Sequence, residues 1–264
     1  MAPFVIAVAN RKGGTGKTTS AVNLSVCFAR RGLKTLLIDF DTQGHAGLGF
    51  GIVAQKGEPT AHDVLDEGDQ TLARAIRSTR EANLDLAPAN RHLSHTGNEV
   101  QPTSLAQAIR MLPGHHGYDL ILIDTPPSLD ALLVTALTSA NGVVIPFLPH
   151  PLPAEGVKQF ARLLFQVRLS NNSELKFVAL SPTQVNVNIL LHQRTIENMR
   201  NQFGTERVMS SIRPDIKLAE AFEVRQSIFE HAPKSRGAYD YGQLADRLEV
   251  LWKQNVATFL KTAC

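Results

Sequence analysis

A glycine-rich segment near the start of the chain constrains its fold more than any other feature. Residues 10–19 read Asn-Arg-Lys-Gly-Gly-Thr-Gly-Lys-Thr-Thr, after an apolar run at 4–9 and before a helical pattern at 17–31. Glycines let a backbone curl until its N–H groups point inward at an anion, and a helix start adds positive potential there. The sequence therefore predicts a phosphate-binding loop between a strand and a helix. The residues expected at the phosphates are Gly13, Gly14, Thr15, Gly16, Lys17, Thr18 and Thr19.

Two departures distinguish this loop from the common phosphate-loop pattern. Arg11 replaces the usual first glycine, and an additional lysine, Lys12, precedes the glycine pair. Lys17 occupies the position from which a lysine reaches the β- and γ-phosphates, and the hydroxyl of Thr18 is placed to bind Mg²⁺. A nucleoside triphosphate with Mg²⁺ is therefore the expected ligand.

The apolar segments indicate the fold class. The predicted strands are the runs at 4–9, 35–39, 119–124 and 142–148, with weaker candidates at 83–87 and 176–181. Runs that are apolar at almost every position are typical of a parallel sheet covered on both faces. The helical patterns between them lie at 17–31, 102–112, 128–139, 154–169, 189–203, 215–225 and 237–261. We expect a single α/β domain over 1–264, a doubly wound, mostly parallel sheet with helices on both faces.

Glycines also mark expected helix ends and loops. Gly32 follows the first helical pattern and is expected to end that helix. The glycine-rich stretch 44–57 is expected to form a mobile loop within the domain.

Three carboxylates follow predicted strands. Asp39 and Asp41 lie at the end of the second strong run, and Asp124 ends the third. Ligands of open parallel sheets bind at the carboxyl ends of the strands, so these acids are expected beside the phosphate loop. An apolar strand that ends in aspartate is the Walker B arrangement, in which the carboxylate holds Mg²⁺ directly or through water.

Taken together, these motifs resemble the ParA/MinD family of deviant Walker A ATPases, and most closely its small, Soj-like partition members. The resemblance rests on the loop at 12–18, on the switch-like segment 39–44 and on Asp124-Thr125-Pro126-Pro127. Blocks at 211–221 and 233–241 also resemble segments of the ParA branch. The resemblance implies the P-loop NTPase fold, ATP and Mg²⁺ as ligands, and slow, activator-stimulated ATP hydrolysis.

The resemblance also implies a role for each matching residue. Lys12 would cross an ATP-bound homodimer to the partner's nucleotide, so that Lys12, Lys17 and Asp41 would form the catalytic set. Asp41 would orient the attacking water, while Thr18, Asp39 and Asp124 would hold or support Mg²⁺. Pro214 would lie against the adenine. Thr42 replaces the proline usual in the switch segment, a departure that affects loop stiffness more than chemistry.

Charge points to a polyanionic partner only when it is combined with the resemblance. The net charge is +3, with 15 basic and 11 acidic residues beyond position 150. In ParA-like proteins, basic residues of this region bind DNA without sequence preference, a salt-dependent neutralisation of phosphates. The residues expected at DNA are Arg194, Arg200, Arg213, Lys217, Arg225, Lys234 and Arg236.

Alternative functions remain open. A membrane-cycling ATPase of the MinD type would use a basic, amphipathic C-terminal helix, but only Lys253 and Lys261 are basic in the final dozen residues. That helix is instead expected to pack into the core. A metal-cluster carrier needs more thiolates than the two cysteines supply, and three tyrosines are few for a tyrosine kinase. The histidines, including the pair at 115–116, lack the spacing of metal ligands.

The expected setting is a cytoplasmic, nucleoid-associated protein without a stable membrane anchor. No run reaches the ~18 apolar residues of a membrane span, and no signal peptide precedes the first strand. The first strand also leaves no room for an N-terminal helix-turn-helix. A ParB-like activator or cargo adaptor is the expected partner, and the sequence does not identify the cargo.

Overall fold

A seven-stranded sheet forms the centre of the described chain. The computed structural model describes residues 2–66, 71–93, 100–112, 117–128 and 131–262. For residues 254–262 it describes the backbone alone. The strands are β1 (Phe4–Val8), β2 (Thr35–Asp39), β3 (Arg77–Ser78), β4 (Leu84–Ala87), β5 (Leu120–Asp124), β6 (Gly142–Phe147) and β7 (Phe177–Pro182). Their order is β3-β4-β2-β5-β1-β6-β7, and every pair is parallel except β3 with β4. The predicted fold class is confirmed, and only the short edge strand β3 was not predicted.

Helices connect the strands, in the places where the helical periodicity predicted most of them. The helices are α1 (Lys17–Arg30), α2 (His45–Phe50), α3 (Thr71–Ala75), α4 (Ser104–Arg110), α5 (Ala131–Thr138), α6 (Pro151–Ser170), α7 (Leu190–Phe203), α8 (Ile216–Glu223), α9 (Ile228–His231) and α10 (Arg236–Thr262). Single 3₁₀ turns lie at Ala61–Leu65 and Thr205–Arg207. Gly32 follows α1 with a left-handed φ of 89°, as expected for a glycine that ends a helix.

Both faces of the sheet are covered, which explains why its strands are apolar at nearly every position. Successive residues of a strand point to opposite faces. Ile6 and Val8 pack with α1 and α10 on one face, whereas Val5 and Ala7 pack with α4, α5 and α6 on the other. Because all five side chains of β1, including Phe4, are buried, no position of the strand is left for a polar residue.

The prediction of a mobile loop at 44–57 is wrong over the first part of that stretch, because the helix α2 forms there. Ala46, Gly47 and Phe50 of this short helix are buried. A Cβ added to Gly47 would lie only 2.4 Å from the carbonyl oxygen of Ile52. This glycine therefore permits close backbone packing, whereas the sequence analysis interpreted the glycine content as flexibility.

The last helix packs into the core over the part whose side chains are described. Leu244 and Leu248 are fully buried, and the ring of Trp252 stacks on Phe4 with centroids 4.9 Å apart. This confirms the expected core packing as far as residue 253, although Val250 is exposed. The side chains at 254–264 and the histidine pair at 115–116 lie outside the described residues. No described helix has the length and apolar character needed to cross a membrane.

Candidate functional site

The glycine-rich loop joins β1 to α1 at the carboxyl edge of the sheet, as predicted. Gly14 and Gly16 adopt left-handed φ values of 70° and 86°, which glycine accepts without steric cost. The side chain of Asn10 fixes the start of the loop, because its Nδ2 donates to the carbonyl of Pro146 at 2.7 Å. Its Oδ1 accepts from the backbone N–H of Lys12 at 3.0 Å. The loop is thus tied to the neighbouring strand β6.

Lys17 lies inside the loop that it follows. Its Nζ donates to the carbonyl oxygen of Lys12 at 3.2 Å, and the residue is buried. Burial lowers the pKa of Lys17, while the charges of Asp124 and Asp41 oppose that shift. The amine is therefore held between the loop and the acids, in the position expected of a lysine that contacts nucleotide phosphates.

Thr183, which was not predicted from the sequence, anchors the loop from the far side. It follows β7, and its hydroxyl lies 2.9 Å from the carbonyl of Thr15 and 3.2 Å from that of Phe147. The available signal was positional, because β7 ends at the same edge of the sheet as β1. A threonine just beyond such a strand is near enough to the loop to donate to it.

Asp39 and Asp124 form a buried pair at the ends of adjacent strands. They are directly opposed in the register of β2 and β5, and both are fully buried. Asp39 accepts one hydrogen bond through Oδ2, from the N–H of Gly47 at 2.8 Å. Among the described residues, no donor is in hydrogen-bonding geometry with Oδ1 of Asp39 or with either oxygen of Asp124, although the Thr18 hydroxyl is close enough to Asp124 to lower its pKa.

Burial raises the pKa of both carboxyl groups. The pKa of Asp39 rises to about 7, chiefly through burial and further through Asp41, against the opposing hydrogen bond from Gly47. The pKa of Asp124 rises well above its usual range through burial and the charge of Asp39, while Thr18 and Lys17 lower it. Two buried acids with so few donors are stabilised either by holding protons or by a cation that shares their charge.

Mg²⁺ fits this arrangement. It prefers carboxylate and hydroxyl oxygens, and it is usually held by one or two carboxylates together with substrate phosphates. The residues present are Thr18, whose hydroxyl acts on Asp124, and the two buried acids Asp39 and Asp124. The described residues contain no cluster of three or more His, Cys, Asp or Glu that would hold a metal alone. The donor set therefore suits a cation shared with a nucleotide.

Asp41 begins a tight turn beside this pair. It is buried, and its Oδ1 accepts from the N–H of Gln43 at 3.0 Å. Its carbonyl accepts from the N–H of Gly44 at 2.8 Å, which closes the turn before α2. The charge of Asp41 acts on both Lys17 and Asp39, so the three groups share one electrostatic site. Nearby, the hydroxyl of Thr125 donates to the carbonyl of Val8 at 3.0 Å and ties β5 to β1.

The side chain of Lys12 lies outside the loop to which its backbone belongs. The residue is exposed, and its side chain crosses α6, where a Cβ added to Gly156 would lie 3.2 Å from Cε. Its backbone carbonyl serves the loop by accepting from Lys17, while its side chain points elsewhere. The structure thus separates the two lysines that the sequence placed in one motif.

A large cavity opens beside the loop, and Pro214 is among the residues that line it. Its volume is about 780 Å³, and Gly16, Thr18 and Thr19 line its loop side. Gln184 and Phe222 also line the cavity, and neither residue was predicted from the sequence to do so. Tyr241 closes one side, where burial raises the pKa of its hydroxyl to about 12.

The basic residues proposed for DNA are not one uniform surface. The guanidinium of Arg213 forms an ion pair with Asp240 at 2.7 Å. Arg200 pairs with Glu197, and Lys217 pairs with Glu220. Lys217, Lys234 and Arg236 line one shallow pocket of about 440 Å³. The remaining residues, Arg194 and Arg225, are exposed on α7 and after α8.

Comparisons with known proteins agree with this geometry. Residues 4–177 match a family model described as an AAA domain. The chain is 36% identical to the chromosome-partitioning ATPase Soj of Thermus thermophilus over 92% of this chain and 94% of that protein. It is 34% identical to the sporulation initiation inhibitor protein Soj of Bacillus subtilis over 91% and 96% of the two chains.

Solved structures show the same fold with nucleotide bound. Cobyrinic acid a,c-diamide synthase from Mycobacterium smegmatis, with an ATP analogue and magnesium, has a TM-score of 0.77, 28% identity and coverage of 95% and 96%. The septum site-determining protein MinD of Pyrococcus horikoshii, with Mg-ADP, has a TM-score of 0.77 and coverage of 95% and 97%. At 24% identity, the MinD likeness concerns the fold alone.

Proposed function

Because the chain belongs to the ParA/MinD family of deviant Walker A ATPases, on its Soj-like side, we propose that it is a Mg²⁺-dependent ATPase whose dimer forms and dissociates with the nucleotide cycle. It would use that cycle to partition or position a cargo on DNA. The observation that carries the proposal is the convergence of Lys17, Thr18, Asp39 and Asp124 beside one large cavity. The partition role follows from the Soj relatives.

The residues divide the chemistry of hydrolysis among them. Backbone N–H groups of the loop and the amine of Lys17 would bind the β- and γ-phosphates. Thr18 and Asp124 would hold Mg²⁺, with Asp39 supporting that shell. When bound, Mg²⁺ would offset the negative charge of the phosphate oxygens. Asp41 would accept a hydrogen bond from the attacking water and orient it, while Pro214 would pack against the adenine.

Dimerisation is supported by the surface around Lys12. The side chain of Lys12 rests on α6, whose first turn exposes Leu152. His150 precedes α6, and its ring contacts His192 of α7, with centroids 4.8 Å apart. The first turn of α7 exposes Leu190 and Leu191. An apolar surface beside a free lysine suits a partner that must bring a cation to the second nucleotide.

DNA binding is supported by the pocket lined by Lys217, Lys234 and Arg236. Arg236 and Asp215 line both this pocket and the nucleotide cavity. A change in the cavity on ATP binding would therefore reach the basic pocket through shared residues. We propose that DNA binding is nucleotide-dependent and sequence-independent, and that a ParB-like activator stimulates release. Nucleoid association would follow from this binding.

Co-sedimentation with DNA tests the proposal. The protein is mixed with DNA of arbitrary sequence, or with anionic liposomes, in the presence of ATP or ADP. We expect sedimentation with DNA and ATP only, and a steep loss of binding with added salt. Lys234→Ala should weaken DNA binding, whereas Lys56→Ala, at an exposed lysine outside both pockets, should not. Sedimentation with liposomes instead of DNA would favour the MinD-type alternative.

A further inference from the structure

Arg91 lies on the turn that carries Asp41. Gly44 ends this turn with a left-handed φ of 66°. A Cβ added to Gly44 would lie 2.7 Å from Cγ and 2.8 Å from Cδ of Arg91, so the aliphatic stem of the arginine covers the glycine backbone. The stem occupies the space in which any other residue at position 44 would place its side chain.

His62 connects the loop that bears Arg91 to the segment that carries Asp41. The N–H of Asn90 donates to Nδ1 of His62 at 2.9 Å, so Nδ1 is the acceptor. In the neutral ring Nε2 therefore carries the hydrogen, and it lies 3.3 Å from the carbonyl oxygen of Phe40. Phe40 directly precedes Asp41, and its ring stacks on that of His62 with centroids 4.8 Å apart.

A further backbone contact closes this arrangement. The N–H of Ala61, next to His62, donates to the carbonyl of Pro88 at 2.8 Å. The loop 88–91 is thus held at Pro88 and at Asn90, and Arg91 extends from it over the turn. Both ends of the segment that carries Asp41 are therefore contacted, Phe40 by His62 and Gly44 by Arg91.

We propose that Arg91 is a positioning residue for Asp41, acting through the packing of its stem on Gly44. The inference rests on the proposed hydrolysis, in which Asp41 orients the attacking water. The turn from Asp41 to Gly44 has two hydrogen bonds of its own, and Arg91 limits the motion of its exposed side. Displacements of about 1 Å in a positioned group change rates by up to about 100-fold, so a loosened turn lowers the turnover number.

Three substitutions at position 91 separate the stem from the charge. Arg91→Ala removes both and is expected to lower kcat about tenfold, while the KM for ATP stays within about twofold because the phosphate loop is untouched. Arg91→Met and Arg91→Lys keep the methylene stem and are expected to restore kcat to within about twofold of the original protein. Arg110→Ala, at an exposed arginine on α4, is the matched control and should change neither constant.

Amide hydrogen exchange provides a readout that does not depend on hydrolysis. In the nucleotide-free protein, Arg91→Ala should accelerate exchange in the segment 41–48, and Arg91→Met should not. Unchanged kcat and exchange in Arg91→Ala would overturn the inference. Loss of kcat in Arg91→Met as severe as in Arg91→Ala would assign the effect to charge and also overturn it. Absence of ATPase activity in the original protein would remove the proposed function, and the exchange result would still decide the role of Arg91.

Discussion

Asp39 and Asp124 face each other across adjacent parallel strands, both fully buried, with only one of their four oxygens hydrogen-bonded among the described residues. Such a pair is costly in the nucleotide-free protein, because burial disfavours both charges and each charge disfavours the other. The same pair becomes favourable when a divalent cation lies between it and the phosphates. The site is thus built for the liganded state at the expense of the free one.

The stability of the nucleotide-free protein should fall as pH rises. The folded-state pKa of Asp39 is raised to about 7, above its unfolded value, so the folded protein binds the extra proton between about pH 4 and pH 7. That contribution is present below the unfolded pKa and is lost as pH rises through 7. Asp39→Asn should therefore raise the Tm at pH 8 by several degrees and much less at pH 5, measured in EDTA. Asp246→Asn, which removes an exposed acid paired with Arg31, is the control for the loss of one negative charge.

Lys17→Ala should abolish ATP-dependent DNA binding. The amine is the buried cation of the loop, and removing it leaves the phosphates without their main charge partner. We expect ATP affinity to fall at least about 100-fold, measured by titration calorimetry. DNA co-sedimentation retained at saturating ATP would contradict the nucleotide switch.

Asp41→Asn should trap the ATP-bound dimer. The amide oxygen still accepts from Gln43, so the turn is kept, but the carboxylate that orients water is lost. Hydrolysis should slow by about 10²–10⁴-fold, in single-turnover experiments, while light scattering shows a persistent dimer with ATP. Hydrolysis at the original rate would remove Asp41 from this role.

Lys12→Ala should separate binding from assembly. Its side chain crosses α6 and leaves its own loop, so monomer affinity for ADP should change less than about twofold. Dimerisation with ATP, or hydrolysis within the dimer, should be impaired, as measured by light scattering and phosphate release. Lys56→Ala, at an exposed lysine away from α6, is the control. An ADP affinity lost as completely as in Lys17→Ala would show that Lys12 acts in its own loop.

Gly47→Ala should destabilise the protein. The added Cβ would lie 2.4 Å from the Ile52 carbonyl oxygen, and this backbone atom cannot simply rotate away. The free energy of unfolding should fall by about 1–3 kcal/mol in urea titrations. Gly242→Ala in α10 meets no atom within 4 Å and should stabilise by up to about 1 kcal/mol. Equal effects of the two changes would refute the packing explanation.

The sequence predicted what depends on local pattern. The alternation of apolar runs and helical periods predicted the sheet, and the carboxyl-edge rule placed Asp39 and Asp124 beside the loop. Contacts between distant segments were missed, because no local pattern records them. The hydroxyl of Thr183 on the Thr15 carbonyl and the stem of Arg91 on Gly44 depend on chain crossings that only the assembled sheet defines. The glycines of α2 were misinterpreted because their packing is not visible in the local pattern: Gly47 approaches the Ile52 carbonyl, and Gly49 lies against the ring of Phe222 from a distant segment.

The stacking of Trp252 on Phe4 has a consequence for synthesis on the ribosome. One face of the first strand is covered by α10, so the hydrophobic cluster there is complete only after the last part of the described chain has been made. Domains generally fold as units while the ribosome extends the chain at about 5–20 residues per second. On this face α1 can cover Ile6 and Val8 early in synthesis, whereas the ring of Phe4 gains its stacking partner Trp252 only when α10 has been made.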